Sequence, residues 1–321
     1  SKEIGEQQDI VGPDMRLVSR ATVPRSPSSP SAKIYGLIGF CGSGILSIML
    51  VLFVDRLDKR LRTPNQVKDE FGLETVALVP QVSKTPLPHR RLIELPRSIY
   101  ADSMRSIFMS IRQMASTDDA GQVVLMTSSL PDEGKSTLSL SLATAAAMQT
   151  KDVLIIDMDL RHPQIHHMIG HQPKNGIVEY CRDSSLELED CLFYEKETGL
   201  TYLFVNDMPH DPSATVNSDR FTLLMERLRE DFDLIIIDAA PVLAVTETRL
   251  LLSHVDLVTF CIRWGKTDIE TTTEALDNIW SNETSPPVLA VLTRVDMDRG
   301  AAYGLSSSRH RKALKKYYQE T

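Results

Sequence analysis

The feature that most constrains this chain is the run Met126-Thr-Ser-Ser-Leu-Pro-Asp-Glu-Gly-Lys-Ser-Thr137, set between an apolar strand and a helix-forming stretch. Val123 to Met126 is apolar and β-branched and reads as a buried strand. Ser136 to Met148, rich in Ala, Leu and Ser, reads as a helix opening on Ser136. Such a turn brings the backbone amides of Asp132 to Thr137 together at a helix N-terminus, where the dipole favours anions. The candidate phosphate-binding residues are Ser129, Pro131, Asp132, Glu133, Gly134, Lys135, Ser136 and Thr137. Lys135 supplies a positive charge for outer phosphates, and the Ser136 hydroxyl is placed to ligate Mg²⁺. The full pattern G-x-x-x-x-G-K-[ST] has Gly where this chain has Ser129.

A second element follows about twenty residues later. Val153-Leu-Ile-Ile156 runs straight into Asp157, as a central parallel strand does when it ends at a ligand crevice. Asp157 and Asp159 are two apart and leave the strand end on the same side. One can hold a metal while the other accepts a proton from a nucleophile. A third strand, Leu234-Ile-Ile-Ile237, ends in Asp238, whose carboxylate fits the Mg²⁺ shell. A lone aspartate at a strand end is often a cap. Three of them beside a Lys-Ser loop point to nucleoside triphosphate chemistry.

Further strands at Thr75–Val79, Leu203–Asn206, Leu257–Ile262 and Val288–Leu292 alternate with helical runs near 219–230 and 268–280. That alternation predicts an α/β fold, a mostly parallel sheet flanked by helices. With 321 residues, 42% of them hydrophobic, the chain holds one such domain and an appendage. A net charge of −8 argues against nucleic acid as a partner. Cys41, Cys181, Cys191 and Cys261 sit singly, without metal-site spacing. His166 and His167, adjacent on a helix, are expected to diverge rather than share an ion.

The appendage is Ile34 to Val54, about 21 residues without a charge, long enough to cross a bilayer as one helix. Gly39, Ser43 and Ser47 form a small-residue ridge along it. Arg56, Lys59, Arg60 and Arg62 crowd its C-terminal flank, and the need for cytosolic ATP places the following domain inside. The chain therefore divides into a Pro/Ser-rich segment (1–33), a transmembrane helix (34–54), a connector (55–99), the nucleotide domain (100–298) and a basic tail (299–321). Within the connector, Thr63-Pro64 opens a helix ending near Phe71-Gly72, and Ser83 to Pro96 reads as a mobile loop.

Ser128 to Ser136, Asp157-Met-Asp-Leu-Arg-His-Pro163 and Ile235-Ile-Ile-Asp238 resemble the Walker A, A′ and B motifs of bacterial tyrosine kinases. Those kinases are related to the MinD/ParA-type ATPases. The resemblance implies that Lys135, Asp157, Asp159 and Arg161 are catalytic, with Asp157 deprotonating or orienting the tyrosine hydroxyl. Asp159, Asp238 and Ser136 would hold Mg²⁺, and the phosphate loop would hold ATP. This chain departs from the family where Asp132 replaces a Gly, and a second carboxylate beside Glu133 must point outward or weaken nucleotide binding. In Tyr100–Phe108, Asp102 and Arg105 match the ring-forming Glu-x-x-Arg-x-x-Arg segment, but Phe108 replaces the second Arg. Thr293 stands where related ATPases carry an Asn near the base.

Pro24, Pro27, Pro30 and Lys33, ahead of the apolar span, resemble the juxtamembrane motif of polysaccharide co-polymerases. This likeness implies the C-terminal part of a longer two-span protein of the inner membrane. Its implied partners are further copies of itself, the polysaccharide polymerase and export machinery, and a protein-tyrosine phosphatase. Tyr303, Tyr317 and Tyr318, in a tail that also carries Arg309, Arg311, Lys312, Lys315 and Lys316, resemble the family's phosphoacceptor cluster. Two other readings stay open. One is a membrane-tethered switch ATPase that modifies no tyrosine, and the other is a nucleotide-binding scaffold.

Overall fold

The computed structural model describes residues 32–83, 85, 87–114, 121–150, 152–281 and 285–300. The expected acceptors Tyr303, Tyr317 and Tyr318, and the segment 1–31, lie outside the described residues. The chain forms two compact units, one ending at Asp58 and one starting at Lys59.

The first unit contains helix α1 (Ala32–Leu57). Its stretch Lys33–Val54, 22 residues, is long and apolar enough to cross a membrane. At 1.5 Å per residue it reaches about 33 Å, against roughly 30 Å of hydrocarbon core. The side chains from Lys33 to Val54 are all exposed, as a solvent of lipid permits.

The second unit is built on an eight-stranded sheet. Its strands are β1 (Thr75–Pro80), β2 (Gln122–Ser128), β3 (Val153–Met158), β4 (Leu192–Glu195), β5 (Leu200–Leu203), β6 (Leu234–Ala239), β7 (Leu257–Arg263) and β8 (Val288–Val295). The order across the sheet is β1-β8-β7-β2-β6-β3-β5-β4. Every neighbouring pair is parallel except β4 with β5. Every residue of β2, β3 and β6 is buried, which is why these strands read as unbroken apolar runs.

Side chains alternate between two core layers. Val123, Leu125, Leu154, Ile156, Ile235 and Ile237 face one of them. That layer is covered by α2 (Pro64–Phe71), α7 (Ile177–Arg182), α8 (Pro212–Val216), α9 (Asp219–Asp231) and α11 (Ile269–Ile279), with α10 (Glu247–Leu250) and α12 (Met297–Gly300) at its margin. Val124, Met126, Val153, Ile155, Leu234 and Ile236 face the other, beneath α3 (Arg90–Glu94), α4 (Ile99–Gln113), α5 (Lys135–Ala147) and α6 (Ile165–Ile169). The result is the α/β sandwich expected from the alternating pattern.

Four expectations need correction. The segment 55–99 is no separate connector: from Lys59 it belongs to the compact unit, and β1 is the edge strand paired with β8. Within it, the segment read as a loop carries α3, anchored by buried Leu92 and His89 and by Arg90 paired to Glu195 at 3.0 Å. The strand placed at Leu203–Asn206 lies three residues earlier, since Leu200 to Leu203 pairs with β3. Finally, the rings of His166 and His167 do not diverge but pack with centroids 3.8 Å apart.

Phe204 and Val205 lie past the β5 ladder yet are buried, and the Phe204 carbonyl accepts the Ile177 amide at 2.8 Å, docking the start of α7. Gly176 makes that approach possible. A Cβ there would sit 2.3 Å from the Phe204 oxygen and 2.9 Å from the Asn206 nitrogen, both backbone atoms that cannot swing away. Gly176→Ala is therefore expected to cost about 2 kcal/mol, in the overpacking range. The check is a lowered urea midpoint with an unchanged m-value.

Phe108, in place of the second arginine of the ring-forming segment, lies on the buried face of α4, while Arg105 pairs with Asp102 at 3.3 Å. That position of the helix thus contributes to the core.

Candidate active site

β2, β6 and β3 lie side by side, so their C-terminal ends open on one crevice. The register pairs Asp157 directly with Asp238. The loop from β2 to α5 passes beside them, and α5 starts at Lys135. Gly134 takes φ +89 just before it, a left-handed turn natural to glycine. Lys135 is 7% exposed, and its ammonium stands among oxygen acceptors: Asp238 Oδ1 at 3.1 Å, Ser136 Oγ at 3.2 Å and Asp159 Oδ2 at 3.6 Å. Burial by itself would lower its pKa, but Asp238, Asp159 and Asp157 outweigh that and hold it above the usual lysine value. Ser139, one turn into α5, donates to the same Asp238 oxygen at 2.8 Å. The other oxygen, Asp238 Oδ2, is buried without a hydrogen-bond partner among the described residues.

The two aspartates of the second motif have different surroundings. Asp157 is buried, and its carboxylate accepts the amides of Asp159 (3.2 Å), Gln164 and Ile165 (3.0 Å each). Burial first, and then the Asp238 charge, push its pKa well above the ordinary carboxylate range. Asp159 instead borders a cleft of about 540 Å³, together with the phosphate loop, Arg161, His162 and Arg294. Asp157 therefore sits behind the wall as a brace for the turn into α6, and Asp159 is the carboxylate facing the cleft. Arg161, half exposed at the cleft, is held at 2.8 Å by buried Glu247. The sequence offered no sign of Glu247, which comes from beyond β6.

Within the phosphate loop, the two acidic residues part, and of the two alternatives for Asp132 the structure shows the outward one. Glu133 is buried, accepting the Leu130 amide at 3.0 Å and the Thr267 hydroxyl. Its pKa is raised by burial, against those hydrogen bonds. Asp132 is exposed, with φ +65. That conformation explains why glycine is usual there, and Asp is among the few residues that adopt it readily. The Thr293 hydroxyl donates to the Glu133 carbonyl, so Thr293 braces the loop. Ser129 and Pro131 follow the strand end, Ser129 buried with its hydroxyl unpartnered among the described residues, Pro131 on the cleft wall. Ser136 and Thr137 line the same cleft.

The donor set suits a hard divalent cation on a triphosphate. Hydroxyl and carboxylate oxygens converge from three elements, and one buried carboxylate oxygen has no partner. Among the described residues no cluster of three or more His, Cys, Asp or Glu is arranged to hold a metal ion.

The comparisons agree with the geometry. Residues 125–310, more than half of the chain, match the family described as the CobQ/CobB/MinD/ParA nucleotide binding domain. A tyrosine-protein kinase ptk of Acinetobacter johnsonii is 27% identical over 80% of this chain and 36% of its own length. The succinoglycan biosynthesis transport protein ExoP of Rhizobium meliloti is 25% identical over 98% of this chain and 44% of its own. The chain thus spans less than half the length of these curated relatives. The kinase domain of Escherichia coli tyrosine kinase ETK superposes with a TM-score of 0.67 at 22% identity, covering 73% of this chain and 94% of that domain. The VpsO kinase domain gives 0.55 at 29%, covering 64% and 98%. Its relatives are named as bacterial tyrosine kinases and a polysaccharide transport protein, and the chain itself belongs to the CobQ/CobB/MinD/ParA nucleotide-binding family.

Proposed function

We propose that this chain is the membrane-anchored kinase part of a polysaccharide-export protein, transferring the γ-phosphoryl group of ATP to tyrosine. The observation that carries the reading is the Lys135 ammonium caged by Ser136, Asp159 and Asp238 at the ends of adjacent parallel strands. The names of the relatives support tyrosine as acceptor.

Ser136, Asp159 and Asp238 are the residues that would hold Mg²⁺. When bound, the ion neutralises charge on the outer phosphates. Lys135 places a positive charge where negative charge grows in the transition state. The phenol proton passes to an oxygen of the transferring phosphoryl group as the tyrosine Oη–P bond forms and the bond to the β-phosphate oxygen breaks, while Asp159, on the cleft wall, stays with the metal. Asp157 holds the turn that carries Asp159, through its three backbone amides. The acceptors proposed are Tyr303, Tyr317 and Tyr318 of a second copy. Their basic neighbours are drawn to the acidic mouth, and each phosphate, adding about −1.5 to −2 charge, favours release. In this reading α1 anchors the domain at the inner face of the bacterial inner membrane, beside the polymerase and export machinery and within reach of a phosphatase.

The test incubates the full chain in detergent with Mg²⁺ and ATP and maps phosphate by mass spectrometry. Phosphotyrosine at Tyr303, Tyr317 or Tyr318 is expected. ATP turnover without phosphotyrosine would identify a switch ATPase, and neither signal would leave a scaffold.

A further inference from the structure

Arg294, at the end of β8, is one of three non-glycine residues with positive φ among the described residues, at +51°. Left-handed backbone is costly for a long side chain, and such strain concentrates where a side chain must be held in one place. Its guanidinium is half buried. It borders the phosphate cleft and also a second cleft of about 530 Å³, lined by Gln81, Tyr100, Arg263 and Lys266. The Nε atom lies 3.5 Å from where a Cβ on Gly134 would stand, so the fork lies directly over the loop glycine. The preceding residue is pinned by the Thr293 hydroxyl to the Glu133 carbonyl, which fixes Arg294 to the loop it covers.

What Arg294 lacks is a hydrogen-bonded anion. Among the described residues no hydrogen bond or ion pair reaches its guanidinium. Burial, then the neighbouring Arg263, lower its pKa, and Asp132 only partly opposes them. A strained, half-buried cation next to a second cation is unfavourable in the free protein, and a phosphate at that place would relieve it.

We infer that Arg294 binds the inner phosphates of the nucleotide, the α- and β-phosphates, at the point where the ligand passes from the phosphate cleft to the second cleft. The outer phosphate belongs to the Lys135 end, where Ser136 and Asp159 stand. This assignment rests on the nucleotide reading above. It does not depend on whether tyrosine is the acceptor.

The experiment measures dissociation constants of ADP and ATP, and the melting temperature without ligand, for the full chain in detergent. Wild type, Arg294→Gly and Arg294→Lys are compared. Arg294→Gly is expected to weaken ADP and ATP equally, by about 10- to 100-fold, the loss of charge-assisted hydrogen bonds. The same variant should melt about 2–4 °C higher, because glycine accepts φ +51 without strain. Arg294→Lys keeps the charge without the fork and should fall between the two. A residue that only supports the fold would lose stability and affinity together. Unchanged ADP affinity in Arg294→Gly, or a loss confined to ATP, would overturn the assignment. Wild-type protein that binds neither nucleotide would overturn the nucleotide reading itself, and this assignment with it.

Discussion

Lys135→Met should lower phosphotyrosine formation by about 10²- to 10³-fold, the usual effect of removing one preorganised charge from a transition state. It should also destabilise the free protein, which a purely catalytic lysine would not do. The Asp238 side chain is 0% exposed and that of Asp159 11%, and both face the ammonium. Taking the cation away leaves buried carboxylates uncompensated, a change that costs about 3–5 kcal/mol when one partner of a buried pair is deleted. In a unit of this size that corresponds to a melting temperature lower by roughly 10 °C. The double variant Lys135→Met/Asp238→Asn removes the orphaned charge and should recover most of the loss in stability while remaining inactive. A Lys135→Met protein that melts with wild type would show that the ion cluster contributes nothing to the fold.

Acid should expose His89. Both of its ring nitrogens are buried and without hydrogen-bond partners among the described residues. Burial, then the adjacent Arg90, push its pKa down to about 4, against an ordinary 6.5. The folded value lies below the unfolded one, so the unfolded chain takes up the proton first. Stability from this residue is complete above about pH 6.5 and falls as the pH drops from there towards 4, by about 3 kcal/mol in all. Asp157, shifted upward, acts in the opposite sense over part of the same range, because its folded form gains a proton as acid is added. The quantity to measure is therefore the difference between wild type and His89→Leu in urea unfolding at pH 7.5, 6, 5 and 4.5. That difference should move steadily in favour of the variant. A difference independent of pH would mean that His89 is protonated, or solvated, in the folded chain.

The sequence showed the centre of this molecule plainly because β2, β3 and β6 are buried on both faces and end in their functional residues. Such strands leave unbroken apolar runs that stop at Asp157 and Asp238, and no tertiary information is needed to see them. Legibility fell towards the rim of the sheet. The short antiparallel β4 exposes Tyr194 and has no periodic pattern. Phe204 and Val205 continue the hydrophobicity of β5 past its last ladder pair, which drew the expected strand forward. Three prolines made 83–96 look like open loop, yet a helix is anchored there by Leu92 in the core and by Arg90 on Glu195, about a hundred residues away. The division of labour between Asp157 and Asp159 was equally hidden. Alternation puts both on one side of a strand, but only the fold decides which of them the amides of Gln164 and Ile165 will claim. Glu247, Thr267 and Arg294 reach the site from other parts of the chain (α10, the turn after β7, and β8 respectively), and no local motif marks them.

The placement of β1 has a consequence for how the chain is made. Among the described residues its only partner strand is β8, and Thr75 pairs with Ala290 across about 215 residues of sequence. Synthesis at about 5–20 residues per second separates those two strands by roughly 10–40 s, during which the earlier one has nothing to pair with. A strand waiting that long presents open backbone groups and apolar side chains to whatever is nearby. The domain thus closes its sheet last at the edge it began first, and a chain interrupted before Val288 would carry an orphan strand at that edge.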